Sequence, residues 1–253
     1  MANQTTDVSF WDHLEDLRKS IIRMAAALIC VTAILLFFKD FLFGHVILAP
    51  TKNSFYLYKL LGVYIDLPLI NIDVTAQFMV HMKVSFVCAL VLTFPYIIYE
   101  VWRFVSPALY ENEKKHIRHA LLFSSVLFYI GLAVGYYLIL PLMVNFFAEY
   151  QVTSDVKNIF SLSSYISLLT STVFIFGLVF QFPAVISILS SLGLVTKETL
   201  RTYRRHAICI VVIVAALITP SGDPFSLLVC SVPLYILYEF SILLCRSENN
   251  TEE

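Results

Sequence analysis

Apolar residues occur along this chain in long blocks, with short polar segments between them. Six apolar stretches, each long enough or nearly long enough to cross a bilayer, take up most of its 253 residues. They cover residues 21–43, 76–102, 117–140, 164–192, 204–219 and 225–245. A helix needs about 20 apolar residues to cross about 30 Å of hydrocarbon. The pattern therefore predicts an all-α membrane protein that forms one domain of six transmembrane helices.

The last two stretches differ from the others. The most apolar part of the fifth, residues 207–219, would reach only about 20 Å at 1.5 Å per residue. The Pro and Gly residues of the turn at 219–224 separate it from the sixth stretch. Ordinary variation in span length is one interpretation; local thinning of the membrane or association with partners is the other. We expect short fifth and sixth spans.

An amphipathic pattern precedes the first span. Apolar residues recur at helical spacing from Phe10 to Ile21. The pattern predicts a helix that lies in the cytoplasmic interface and then bends into span one. Such a helix would hold Glu15 and Asp16 at headgroup depth, facing the cytoplasm. Alternatively, these two carboxylates only balance neighbouring basic residues such as Arg18.

Carboxylates also collect after the second span. Pro107 disfavours helix at the preceding residue, so span two should end there. A second short element starting at Ala108 would then carry Glu113, while Glu100 lies before the break. Aromatic residues of this segment, including Phe104, fit an interfacial belt. The belt accounts for the aromatic residues but not for the carboxylates.

The basic residues predict the orientation of the spans. Charged residues make up 14% of the chain, against about a quarter in a soluble domain. In a six-span chain, twelve Lys and Arg residues fall on the side of the termini and five on the other side. Because cytoplasmic segments carry the excess of Lys and Arg, both termini should be cytoplasmic.

Three polar residues fall at membrane depth, where they are costly and usually face the bundle interior or a cavity. They are Lys83, Gln181 and Glu239. Gln181 could instead form an interhelical hydrogen bond, and Glu239 could lie at the cytoplasmic interface. Together the three could form the relay of a proton-coupled small-molecule secondary transporter. This is the alternative function to be tested.

The sequence lacks common catalytic, nucleotide-binding and metal-binding motifs. It contains no glycine-rich nucleotide loop and no HExxH motif, and its five cysteines have no CxxC spacing. The histidines lie near the ends of spans instead of beside a nucleophile at one depth. We therefore expect no enzyme activity, no metal, no cofactor and no nucleic acid as a partner.

The order and spacing of short motifs on these spans resemble the TatC family, the core receptor subunit of the twin-arginine protein translocase, over nearly the whole chain. The motifs occupy residues 13–19, 49–50, 95, 99–102, 104–110, 113, 128–131, 182–183, 219–220, 223, 233–235 and 239. The acidic position of the family's first motif falls on Asp16, with Glu15 at a variable site. The family often has Gln at Glu100, and some relatives have Glu at Gln181.

The resemblance implies a subunit that recognises twin-arginine signal peptides at the cytoplasmic face. Asp16 and Glu113 would take the two arginines, Phe104 would border them, and Glu15 would contribute. By the same resemblance the partners are TatA- and TatB-type single-span subunits, other TatC copies and the bilayer. Folded proteins would be exported across the cytoplasmic (inner) membrane by the proton-motive force.

The resemblance also draws attention to polar positions away from this face. Gln181 and Glu239 would be membrane-depth polar residues, and Gln181 would contact a partner helix or the inserted signal hairpin. Asp223 marks the turn on the outer side, between spans five and six. The short fifth and sixth spans would border the site for the single-span partners.

Overall fold

The computed structural model describes residues 10–62, 64, 67–106, 111–153, 155, 158–219 and 222–245. The side chains of residues 10–12, 61 and 111–120 are not described. The described chain is helical apart from its turns and one pair of two-residue strands.

The elements follow one another in two halves. The first half contains α1 (Phe10–Phe37), α2 (Lys39–Phe41), a π-helical segment (Leu42–Ile47), a 3-10 turn (Ala49–Thr51), α3 (Tyr56–Leu61), β1 (Leu69–Ile70) and α4 (Ala76–Val105). The second half contains α5 (Glu111–Val134), a second π-helical segment (Gly135–Ile139), α6 (Leu140–Glu149), β2 (Phe160–Ser161), α7 (Leu162–Val179), α8 (Phe182–Ser191), α9 (Lys197–Thr202), α10 (Arg204–Ile218) and α11 (Pro224–Leu244).

Within the described residues, five helical stretches are long and apolar enough to cross a membrane. They are His13–Phe37, Ala76–Val105, Leu121–Glu149, Leu162–Ser191 and Pro224–Leu244. The fifth predicted span is α10, whose 15 residues reach only about 22 Å. The expectation of a short sixth span is wrong, because the 21 residues of α11 reach about 31 Å.

Helix α1 corrects the prediction of a separate interfacial helix. It runs without a break from Phe10 to Phe37, so the acidic turn and the span belong to one helix. Sharp kinks need Pro, Gly or an inserted group, and no Gly or Pro occurs between these residues. The amphipathic stretch therefore continues the axis of the span.

The segment between α4 and α5 also differs from the prediction. Helix α4 ends at Val105, although Ser106 keeps right-handed helical backbone angles. The predicted start at Ala108 lies outside the described residues, and among the described residues Glu113 belongs to α5, which runs from Glu111 to Val134. Glu113 is therefore the third residue of the helix that becomes span three.

Contacts between helix ends define two sides of the bundle. The termini side is where the start of α1 meets the end of α4, through a ring contact between His13 and Phe104. On the loop side, the hydroxyl of Tyr165 at the start of α7 donates to the carbonyl of Ile47 at 2.7 Å. The parallel pair β1–β2 joins the two long loops on that same side.

The helices pack unequally. Helix α5 packs against α7 and α8 at the centre of the bundle, while α1 packs mainly on α4 and α10 mainly on α11. The first and fifth spans are thus peripheral helices, each of which packs mainly against one neighbouring helix.

Tyr58 anchors the loop-side segment. It is 1% exposed, and its hydroxyl donates to the carbonyl of Pro50 at 2.8 Å. Burial raises the pKa of Tyr58 above its usual value. The hydroxyl therefore stays protonated and remains a donor, which ties α3 to the turn before it.

Candidate functional site

The first predicted site residues lie on the acidic turn of α1. Glu15 pairs with Lys19 one turn later at 2.8 Å, and both side chains are exposed. Asp16 is exposed and has no ion-pair partner among the described residues. Asp16 is therefore the carboxylate on this turn that a cationic ligand can reach without displacing another charge.

A ring contact joins this turn to the second predicted segment. The His13 and Phe104 rings stack with their centroids 4.4 Å apart and an interplanar angle of 21°. Asp16 lies three residues after His13, so the two share one face of α1. The structure thus brings Asp16 and Phe104, which are far apart in sequence, to the same part of the termini side.

The side chain of Glu113 lies outside the described residues. Its backbone stands in the first turn of α5. The helix dipole favours carboxylates at that position. That Glu113 faces Asp16 remains a prediction.

The environment of Glu100 was missed by sequence reasoning. Its side chain is 2% exposed and accepts hydrogen bonds from Arg23 Nε at 3.0 Å and Arg23 Nη2 at 2.8 Å. The Tyr96 hydroxyl donates to it at 3.0 Å, and Arg23 also donates to Ser20 Oγ at 2.9 Å. Both carboxylate oxygens of Glu100 are therefore already hydrogen-bonded to residues of the same chain. A lone Arg just inside the first span was the signal that a partner was needed.

Glu239 has a similar environment at the far end of the chain. It accepts from Arg204 Nη2 at 2.7 Å and from the Tyr235 hydroxyl at 3.1 Å. Because Arg204 is the first residue of α10, the pair lies at the termini side and is partly exposed. This geometry favours the interpretation of Glu239 as an interfacial residue.

Gln181 lies at the break between α7 and α8. Its Oε1 accepts from the Ser124 hydroxyl of α5, while its Nε2 donates to the Ser124 carbonyl at 3.2 Å and the Gly177 carbonyl at 3.4 Å. Pro183 stands in the first turn of α8, where it removes a backbone donor. The amide thus links span three to the interrupted span four.

The three polar residues of the predicted relay each have a partner of their own. Lys83 donates to Ser167 Oγ at 3.1 Å, Gln181 bonds to Ser124, and Glu239 pairs with Arg204. A cavity of about 610 Å³, bordered by α1, α4, α5, α7 and the two π-helical segments, is lined by apolar and aromatic side chains with one Cys and one Thr. Neither feature suits the binding and release of a small polar substrate.

Asp223 caps a helix. Its Oδ1 accepts from the backbone N–H of Ser226 at 2.8 Å, and Pro224 follows it as the first residue of α11. A carboxylate at this position satisfies an otherwise unpaired donor of the first turn. The site residue predicted on the loop side thus begins the last span.

These features define a multi-span membrane protein with exposed carboxylates, Glu15 and Asp16, at one end of the helix bundle. The sequence matches the profile of one family of such proteins, TatC, described as Sec-independent protein translocase protein, over residues 12–233. The chain belongs to the TatC family.

Relatives and solved structures agree with this assignment. The chain is 36% identical to a TatC of Blattabacterium sp. subsp. Periplaneta americana, over 96% of both chains. It is 32% identical to the TatC of Escherichia coli K12, over 92% of this chain and 86% of that one. Two crystal structures of the twin-arginine translocase receptor TatC match with TM-scores of 0.75 and 0.78 at 30% identity, each over 92% of this chain and 97% or more of the other.

Proposed function

We propose that this protein is the subunit of a twin-arginine translocase that binds twin-arginine signal peptides at the cytoplasmic face. One observation supports the proposal within the chain: the rings of His13 and Phe104 stack, and Asp16, which has no ion-pair partner among the described residues, lies about one helical turn after His13. The family membership supports the same conclusion. With TatA- and TatB-type partners and further copies of itself, the subunit would export folded proteins across the inner membrane.

The chemistry of the ligand explains why carboxylates are needed. A guanidinium is planar, always charged and able to pair with a carboxylate through two parallel hydrogen bonds. Two adjacent arginines would engage Asp16 and Glu113, one on each side of Phe104. The compact ammonium of Lys fits this fork poorly. Glu15 contributes less than Asp16, because Lys19 already neutralises it.

The bundle also supports the need for partners. Helix α10 falls short of the bilayer thickness, so local thinning beside it would be one way to accommodate it. The exposed apolar residues of α10 and α11 offer a surface for single-span partners near that thinned region. No nucleotide-binding motif occurs in the sequence, and the driving force would be the proton-motive force.

Crosslinking to a signal peptide tests the proposal. The protein, purified in mild detergent, is exposed to a photoreactive twin-arginine peptide and to its Lys-Lys variant. We expect selective capture of the twin-arginine peptide, and loss of that capture in Asp16→Lys and Glu113→Lys. Glu198→Lys is the matched control, because Glu198 is exposed and belongs to a different helix of the same side. Equal capture of both peptides, or unchanged capture by Glu113→Lys, would contradict the assignment.

A further inference from the structure

Two clusters of the same composition fasten the peripheral spans. The first triad consists of Tyr96 and Glu100 of α4 with Arg23 of α1. The second triad consists of Tyr235 and Glu239 of α11 with Arg204 of α10. In each, the Tyr precedes the Glu by four residues on one helix, and the Arg comes from the helix packed against it.

The first triad is the more complete of the two. Arg23 donates through both Nε and Nη2, so each carboxylate oxygen of Glu100 accepts a hydrogen bond from the guanidinium, and the hydroxyl of Tyr96 supplies a third. Glu100 is 2% exposed, against 34% for Glu239. The first triad is thus a directional contact between two spans, with a buried carboxylate and a partly exposed guanidinium.

Helix α1 is little buried, and it packs mainly on one neighbour, α4. Only 6% of the residues in its apolar window are buried, against 33% or more in the other four candidate spans. Apolar contact is non-directional, so it does not by itself set the depth or rotation of a helix. A bidentate ion pair has a defined geometry, so it can set the depth and rotation of the helix.

We propose that the first triad positions the signal-peptide site. It holds α1 against α4 so that Asp16 keeps its place beside Phe104. Arg23, Glu100 and Tyr96 are positioning residues in this inference, which rests on the function proposed above. The second triad joins α10 to α11 in the same way, and neither of these helices carries Asp16 or Phe104.

A direct role for Glu100 in binding the peptide is the competing explanation. Both of its oxygens are engaged within the chain, and almost none of its surface is accessible. A peptide arginine could reach it only by displacing Arg23. The two explanations differ in what they predict when Arg23 is neutralised and Glu100 keeps its carboxylate.

The test compares Glu100→Gln with Glu239→Gln. The two substitutions make the same chemical change in the two triads. For Glu100→Gln we expect capture of the twin-arginine peptide to fall on the order of tenfold, with a lower preference over the Lys-Lys peptide. We also expect faster hydrogen exchange of the first turns of α1. Glu239→Gln should leave both readouts at the level of the unchanged protein.

Two further variants separate the explanations. Arg23→Gln should lower selective capture about as much as Glu100→Gln, because either change breaks the pair that holds α1 against α4. Undiminished capture by Arg23→Gln would mean that the freed Glu100 binds the peptide directly and would overturn the proposal. Tyr96→Phe keeps the ion pair and should give a smaller loss of selective capture. It also disturbs folding less than the variants that remove a charge.

The outcomes distinguish this inference from the proposed function. If the unchanged protein captures neither peptide selectively, the proposed function fails, and the role of the triad in α1 is still decided by hydrogen exchange. If selective capture is present and Glu100→Gln changes neither capture nor exchange, the positioning role is refuted while the receptor function stands.

Discussion

Gln181 illustrates how a polar residue inside a span can be accounted for by the chain itself. Its amide accepts from one side-chain group and donates to two carbonyls, of Ser124 and Gly177. Carbonyls near a proline-interrupted helix need such donors, because lipid offers none. The geometry thus favours the interhelical interpretation of Gln181 over contact with a partner.

Substitution of Gln181 by Ala tests this interpretation. The change removes hydrogen bonds that each contribute about 0.5–1.5 kcal/mol, so we expect a loss of stability of about 1–2 kcal/mol. Export of a folded reporter should continue at permissive temperature. Thermal unfolding in detergent and an export assay in cells measure the two effects, with Ser124→Ala as the control that removes one partner. Unchanged stability with lost export would show that Gln181 contacts a partner helix instead.

Local patterns predicted single residues well where the partner was near in sequence. Asp223 could be placed at a turn because Pro and Gly residues surround it, and the structure makes it the cap of α11. The pairing of Arg23 with Glu100 spans 77 residues and depends on how α1 is rotated against α4. Periodicity carries no information about that rotation, so the pair could not be predicted.

At the scale of helices, spans three and four approach closely through glycine. A Cβ added at Gly131 would lie 2.7 Å from the Phe176 carbonyl oxygen and 2.7 Å from Phe180 Cβ. Small residues at such positions let helices pack by van der Waals contact, which is the main attraction between helices in lipid. The centre of the bundle therefore tolerates no added methyl group at Gly131.

We expect Gly131→Ala to destabilise the protein by about 1–3 kcal/mol, as overpacking does. Gly44→Ala is the matched control, since a Cβ there meets nothing within 4 Å. Thermal unfolding of the two variants in the same detergent gives the comparison. A Gly131 variant as stable as the Gly44 variant would mean that the two helices can separate without cost.

The spans themselves were largely predictable from hydropathy, and their ends were not. The apolar block of span four predicted a helix, and Pro183 marked the region where the helix is interrupted. The short α10 was also predicted. The extension of span three to Glu149 was missed because a π-helical segment and Pro141 interrupt its pattern without ending it. The continuity of α1 was missed because an amphipathic face does not distinguish an interfacial helix from the solvated end of a span.

At the scale of the whole molecule, the distribution of basic residues and the position of the proposed peptide site favour the same orientation of the protein in the membrane. Twelve of the seventeen Lys and Arg residues were assigned to the side of the termini. The proposed site around Asp16 and Phe104 lies on that same side, where the His13 and Phe104 rings stack. On the function proposed above, this side would face the cytoplasm, where the receptor meets its ligand before export.

Cysteine labelling in intact cells tests the orientation. In a variant whose native cysteines are replaced, Glu198→Cys marks the termini side and Lys52→Cys marks the loop side; both positions are exposed. A membrane-impermeant maleimide should label position 52 directly and position 198 only after permeabilisation. Moving each basic residue outward against the membrane potential would cost about 2.3 kcal/mol per 100 mV. The opposite labelling would place the acidic turn of α1 outside, where no signal peptide arrives before export, and would contradict the receptor function together with the orientation.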